Sequence, residues 1–203
     1  MVVRAWPERA GGRARVETIH VWLREAAGLS FLPLPIPGLD GRTAQELGGR
    51  CWEVTPWLPG EPETNRPPAV DRVRAAFQAM AILHQRLARG SASGPSLGLN
   101  ARREELARLI HGGFEVIGRA IANRSDDPLA PSAAAWLDLA RRLAPGMLVE
   151  LEDVRRLVVP LQPCLRDARP EHFLFQGNVV SGLVDFGAMD VDTVAGDLAR
   201  LLG

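Results

Sequence analysis

The chain has no lysine: every basic side chain is arginine, balanced by 24 acidic groups to a formal net charge of zero. Without lysine there is no Schiff-base chemistry and no phosphate-loop lysine. Arginine still carries charge and binds phosphate. Zero net charge gives no global field favouring nucleic acid or a membrane surface, so neither is expected as a partner. No apolar run approaches membrane-spanning length, and the N-terminus lacks a signal-peptide core. A cytoplasmic location is expected. Cysteine occurs only twice, at Cys51 and Cys164. The two lie far apart in apolar, strand-like runs and are expected as buried thiols in a reducing compartment. G-x-G-x-x-G is also missing. What is present is a hydrophobic content of 46 % and a charged content of 24 % in 203 residues, the balance of a globular protein with a real core.

"MVVRAWP" reads as a strand end stopped by Pro7. "RARVETIHVWLREAAG" follows as a helix with Val16, Ile19, His20 and Leu23 at helical spacing and Gly28 as its stop. Proline alternating with apolar residues makes "LSFLPLPIPGLDGRT" an extended loop. "RCWEVTPWL" reads as a buried strand and "PGEPETNRPP" as a polar connector. From Ala69 the pattern turns helical, with Val70, Val73, Phe77, Met80, Ile82, Leu83 and Leu87 along one broad face. "ARREELARLIHGGFEVIGRAIA" and "PSAAAWLDLARRL" behave alike, and "MLVELEDVRRL" reads as a further short helix. His84 is expected as a satisfied core histidine, and His111, before a Gly-Gly break, as solvent-facing. "VVPLQPCL" is a strand, "HFLF" and "VVSGLV" pair as a hairpin about Gln176-Gly177-Asn178, and "VDTVAGDLARLL" closes as a helix. Segregated runs of this kind imply an α+β fold. The expected organisation is a small N-terminal piece over 1–58, a hinge over 59–68 and a mostly helical piece over 69–203.

One stretch looks like chemistry: "CLRDARPEHFLFQGNVVSGLVDFGAMD", residues 164–190. Asp167 stands just before the hairpin and Asp185 eighteen positions later, just after it. The hairpin brings both carboxylates to one end of a small sheet. That geometry suits a metal-and-nucleophile site, and it also fits two ordinary loop aspartates.

"LRDARPEH", "VDFGAMD" and "GDLARLL" resemble, in order, the catalytic segments of aminoglycoside phosphotransferases and their choline-kinase-like relatives. "WEVTPWLPGEPE" is similar to their interlobe hinge and "AMAILHQRLA" to the first helix of their large lobe. "VVRAWP" with "VETIH" resembles the third strand and following helix of the small lobe. The resemblance implies a protein-kinase-like two-lobe fold with a partial small lobe. It implies transfer of the γ-phosphate of ATP or GTP to a hydroxyl of a small metabolite or aminoglycoside-like acceptor, with Mg²⁺ on the phosphates. Asp167 matches the aspartate that takes the acceptor's proton, and Asp185 the metal-holding one. His172 stands where a second metal ligand, normally asparagine, belongs, and it also fits a capping histidine that bonds a backbone carbonyl. Imidazole suits Mg²⁺ poorly and Mn²⁺ better. Arg4 falls near the phosphate-clamping lysine, Glu17 near the helix glutamate that orients it, and Pro56 and Trp57 in the nucleotide-binding hinge; Arg4 and Glu17 equally fit a surface ion pair. Asp197 matches an aspartate that braces the catalytic loop.

The departures are Leu165 in place of the loop histidine, His172, the absent lysine and the absent phosphate loop. The pattern begins at the third strand and stops at "LLG", so an internal segment of a larger enzyme, or a chain with a misassigned start and end, is expected. These departures also suit a catalytically impaired, pseudokinase-like nucleotide- or partner-binding module. A metal-dependent hydrolase built on Asp167, His172 and Asp185 is a third reading.

Overall fold

The computed structural model describes residues 1–7, 11–64, 68–88 and 92–203. The expected hinge falls partly on 65–67, outside the described residues. The chain packs into two compact units, Met1–Ala92 with Leu161–Gly203, and Ser93–Pro160.

In the first unit, β1 (Val2–Ala5), β2 (Gln45–Leu47) and β3 (Arg50–Thr55) form an antiparallel sheet in the order β1-β3-β2. Its register sets Arg4 opposite Glu53, so the two side chains share a face. The β2–β3 turn is made by Gly48 and Gly49, both at positive φ, the geometry that matches strand twist in tight hairpins. This short β2 hairpin lies outside the sequence expectations. Helix α1 (Gly12–Glu25) buries Val16, Ile19, His20 and Leu23, the four positions its periodicity marks. It ends at Glu25, three residues before Gly28.

Strand β4 (Glu61–Pro62) lies in the segment read as pure connector, and pairs with β7 (Phe173–Gln176). Strands β7 and β8 (Val179–Leu183) are the expected hairpin, with a register shift between Leu174 and Phe175. A short strand, β5 (Ala92–Gly94), stands where the chain enters the second unit and β6 (Val159–Cys164) where it returns to the first, and β6 pairs antiparallel with β9 (Asp190–Asp192). Helix α2 (Val70–Leu87) buries Ala76, Ala79, Met80, Leu83, His84 and Leu87. Val70 and Ile82, expected on that face, are exposed. The stripe facing the core is narrower than the apolar content suggests. The last helix, α6 (Val194–Leu202), is capped by the Thr193 hydroxyl. One apolar core joins Trp6, Ile19, Met80, Leu83, Phe173 and Leu183. Burying each such side chain stabilises the unit by about 1.5–3 kcal/mol before entropy is counted.

The second unit contains α3 (Leu97–Arg108), α4 (Phe114–Ala122) and α5 (Ala130–Val154). Phe114, Leu137 and Ala144 form its core. The two segments read as separate helices on either side of Pro145 are one 25-residue helix. Proline there removes one amide donor without ending the helix. His111 is exposed at the α3–α4 break, where Gly112 takes a φ of 133°. No described helix is long and apolar enough to cross a membrane.

Candidate active site

The site is built on the first unit around the hairpin. The loop after β6 carries Asp167, and its conformation is held from below. Asp197, fully buried at the start of α6, accepts the Leu165 amide at 2.8 Å, the Arg166 amide at 2.6 Å and His84 Nε2 at 2.9 Å. Arg166 sits at a φ of 62°, a left-handed conformation that glycine takes more readily. Its guanidinium reaches Asp190 and Asp192, each at 3.4 Å, in compensation. The loop is therefore braced by a buried carboxylate, as the resemblance implies, and His84 is a satisfied core histidine.

His84, Cys164 and Asp197 place potential ligand atoms within 4.8 Å of one another. Both oxygens of Asp197 are already engaged, however. Burial, helped by the Asp197 and Asp192 charges, pushes the Cys164 thiol up to about 12. Cys164 donates to the Asp192 carbonyl at 3.3 Å.

After β8 the chain turns through Asp185, at a φ of 62°, into a short turn that buries Phe186. Arg4 donates to Asp185 Oδ1 at 3.0 Å. Partial burial works to raise the Asp185 carboxyl, but the Arg4 charge and hydrogen bond, with His172 and the Gly187 amide, outweigh it and hold it below its ordinary value. His172, at the start of the hairpin, links the two acids. Its Nδ1 donates to the Asp167 carbonyl at 2.9 Å, which fixes the proton on that nitrogen and turns Nε2 toward Asp185 Oδ2, 3.8 Å away. A carboxylate oxygen and an imidazole nitrogen thus face one spot. That donor pair would suit a divalent cation, which would supply positive charge to a phosphate ligand.

Beside this pair opens a cavity of about 560 Å³ whose lining includes Arg4, Glu53, Pro56, Trp57, Asp185 and Phe186. Its walls are mostly apolar, with Arg4, Glu53, Glu61 and Asp185 as the charged groups among them, the usual build of a small-molecule site. Trp57 is 73 % exposed. Of the residues singled out from sequence, Arg4, Pro56, Trp57 and Asp185 line this cavity, and His172 ties Asp185 to Asp167.

Glu17 does not join them. It pairs with Arg13, one helical turn away, at 3.6 Å. The carboxylate that the sheet register sets against Arg4 is Glu53, at 4.0 Å, and α1 contributes His20 instead, whose Nε2 donates to Glu53 at 2.6 Å. Thr43 completes the group at 2.8 Å from His20 Nδ1. Sequence reading missed Glu53, although an acid inside a buried strand run is itself the signal that it has a partner. Also missed were Arg200 and Arg169, which stand 2.9 Å and 3.8 Å from Asp167 Oδ1.

The sheet, the helical packing and the hairpin flanked by two aspartates define a protein-kinase-like α+β fold. The signature of the phosphotransferase enzyme family (APH) matches residues 1–203, and the chain belongs to that family. It is 29 % identical over 177 residues to a homoserine kinase of Allorhizobium ampelinum, covering 87 % of this chain and 48 % of that protein. Among solved structures it resembles an amicoumacin kinase in complex with AMP-PNP, Ca²⁺ and amicoumacin, with a TM-score of 0.67 at 12 % identity, over 98 % of this chain and 56 % of that one. It also resembles an aminoglycoside phosphotransferase from Alicyclobacillus acidocaldarius, with a TM-score of 0.62 at 16 % identity, over 98 % of this chain and 60 % of that one. The chain spans about half the length of the homoserine kinase it matches.

Proposed function

We propose that this chain carries the catalytic site of an ATP-dependent phosphotransferase acting on a hydroxyl of a small molecule, with a divalent cation at Asp185 and His172. The observation that carries this reading is the His172 bridge, which bonds the Asp167 loop through one ring nitrogen and faces Asp185 with the other. Loop aspartates without a shared task need no such link.

ATP with its metal supplies the γ-phosphoryl group, which leaves its bridging oxygen with ADP and bonds to the acceptor oxygen. The protein's part is positioning and charge neutralisation. Asp167 orients the acceptor hydroxyl and receives its proton. Asp185 and His172 hold the metal, Arg4 adds positive charge at the phosphate end, and Pro56 and Trp57 flank the nucleotide's apolar part. Glu53 and His20 hold Arg4 in place, the part the resemblance implies for Glu17. Residues 1–58 and 69–203 act as the two lobes about 59–68. Mg²⁺ is the ordinary metal for this chemistry, and the imidazole ligand favours Mn²⁺.

Nucleotide calorimetry and phosphoryl transfer on three variants, each with both metals, test the reading. Asp185→Asn weakens metal-dependent ATP binding by at least about 10- to 100-fold. Asp167→Asn leaves binding intact and lowers turnover by about 10²- to 10⁴-fold, the scale of general-base loss. His172→Asn shifts metal preference from Mn²⁺ toward Mg²⁺. If Asp185→Asn binds Mg·ATP like the wild type, the kinase-like reading of this site is wrong.

A further inference from the structure

The phosphotransferase reading leaves open what receives the phosphate, and the surroundings of Asp167 bear on it. That carboxylate does not stand alone. Arg200, projecting from α6, donates through Nε to Asp167 Oδ1 at 2.9 Å, and Arg169 Nε lies 3.8 Å from the same oxygen. Both arginine side chains are 45 % exposed. Arg169 shares its charge with Glu171, 3.2 Å away. Arg200 has no second carboxylate among the described residues, and its terminal nitrogens make no hydrogen bond to them. A guanidinium offers five donors in a rigid fork, and this one uses a single donor on Asp167. Where the acceptor hydroxyl must lie, the described residues therefore leave a cationic fork unfilled.

An acceptor bristling with ammonium groups would bring like charge against this fork. An acceptor with a carboxylate would fill it by the bidentate geometry guanidinium favours. Resting on the phosphotransferase reading above, we propose that the acceptor is a small hydroxy acid whose carboxylate docks on Arg200, with Arg200 as the residue that sets acceptor specificity. Docking draws the guanidinium away from Asp167 Oδ1 and leaves that oxygen free to take the hydroxyl proton. The hydroxyl oxygen bonds to the γ-phosphorus as the bond to the bridging oxygen breaks, and ADP leaves with that electron pair. Arg200 and Asp167 are in direct contact before docking, so the fork and the freed carboxylate stay neighbours, and only a few carbon atoms separate the acceptor's hydroxyl from its carboxylate.

The test measures phosphoryl transfer from Mn·ATP and Mg·ATP to L-homoserine, 4-hydroxybutyrate, the neutral 4-hydroxybutanamide and the polycation kanamycin, with wild type, Arg200→Gln and Arg200→Lys. Wild type is expected to use the two acids and to discriminate against the amide and kanamycin. In Arg200→Gln the KM for the acids rises about 10- to 100-fold, the worth of a charge-assisted pair. The ATP dissociation constant holds steady, which reports a folded protein. Arg200→Lys recovers part of the loss, since it keeps the charge without the fork. A residue that merely orients Asp167 would instead lower kcat on acid and amide alike, and that result overturns the proposal. So does equal use of kanamycin or the amide. If no acceptor is turned over, calorimetry of homoserine decides. Binding that Arg200→Gln weakens supports the assignment, and no binding overturns it. Failure of the phosphotransferase reading itself shows separately, as absence of metal-dependent ATP binding.

Discussion

Replacing Asp197 by asparagine removes one charge from a site that hydrogen-bonds three donors. Oδ1 takes the Arg166 amide at 2.6 Å, while Oδ2 takes the Leu165 amide at 2.8 Å and His84 Nε2 at 2.9 Å. Asparagine keeps one acceptor oxygen and turns the other atom into a donor. Its better orientation leaves the oxygen on Leu165 and His84 and sets an amide N–H against the Arg166 N–H. The variant thereby loses one charge-assisted bond and strands a buried amide, at a cost of about 3 kcal/mol. The side chain is fully buried, so water cannot take over. For a chain of this size 1 kcal/mol moves Tm by about 2–4 °C, so a fall of about 6–12 °C is expected. Tryptophan fluorescence follows the relevant unit, because Trp6, Trp22, Trp52 and Trp57 all lie in it and only Trp136 does not. Asp71→Asn, which loses an exposed pair with Arg74, is the control and moves Tm by less than about 2 °C. An Asp197→Asn transition within 2 °C of wild type would refute the idea that this carboxylate holds the loop.

At Arg166, alanine keeps the left-handed backbone cost and loses the pairs to Asp190 and Asp192, whereas glycine loses only the pairs. Arg166→Gly is thus expected to exceed Arg166→Ala in stability by about 1–2 kcal/mol in urea unfolding. Cys164, with its thiol pushed up to about 12, resists iodoacetamide under native conditions at pH 8 and reacts only on unfolding, which mass spectrometry reads directly. Asp185 is held below its ordinary value of 3.8, so its pairing adds stability that is complete above that value and is lost as pH falls through the lower, folded value. Arg4→Gln removes the main lowering influence, and carbon-detected NMR should show the Asp185 titration moving upward.

Much of the framework was legible because it rests on local pattern. The four buried positions of α1 follow from helical spacing, and the β7–β8 hairpin follows from two apolar runs about a glycine turn. The acids that carry the proposed chemistry were legible too, since their types and spacing are properties of one continuous segment. What the chain order alone could not yield were pairings between distant segments. Arg4 faces Glu53 because antiparallel register sets those two residues opposite each other, although nearly fifty positions separate them. Glu17, at a plausible helical position, points to Arg13 instead. Helix α5 runs on through Pro145, which a local rule reads as a break, while Leu137 and Ala144 pack into one core. Arg200 shows the limit most sharply. In the sequence it is one charged residue of a terminal helix, and only the packing of α6 against the loop places its guanidinium on Asp167. Local pattern sets which residues form each helix and strand. Which charges meet across them is decided by tertiary packing, because Coulomb attraction and hydrogen bonding act over a few ångströms of space and take no account of distance along the chain.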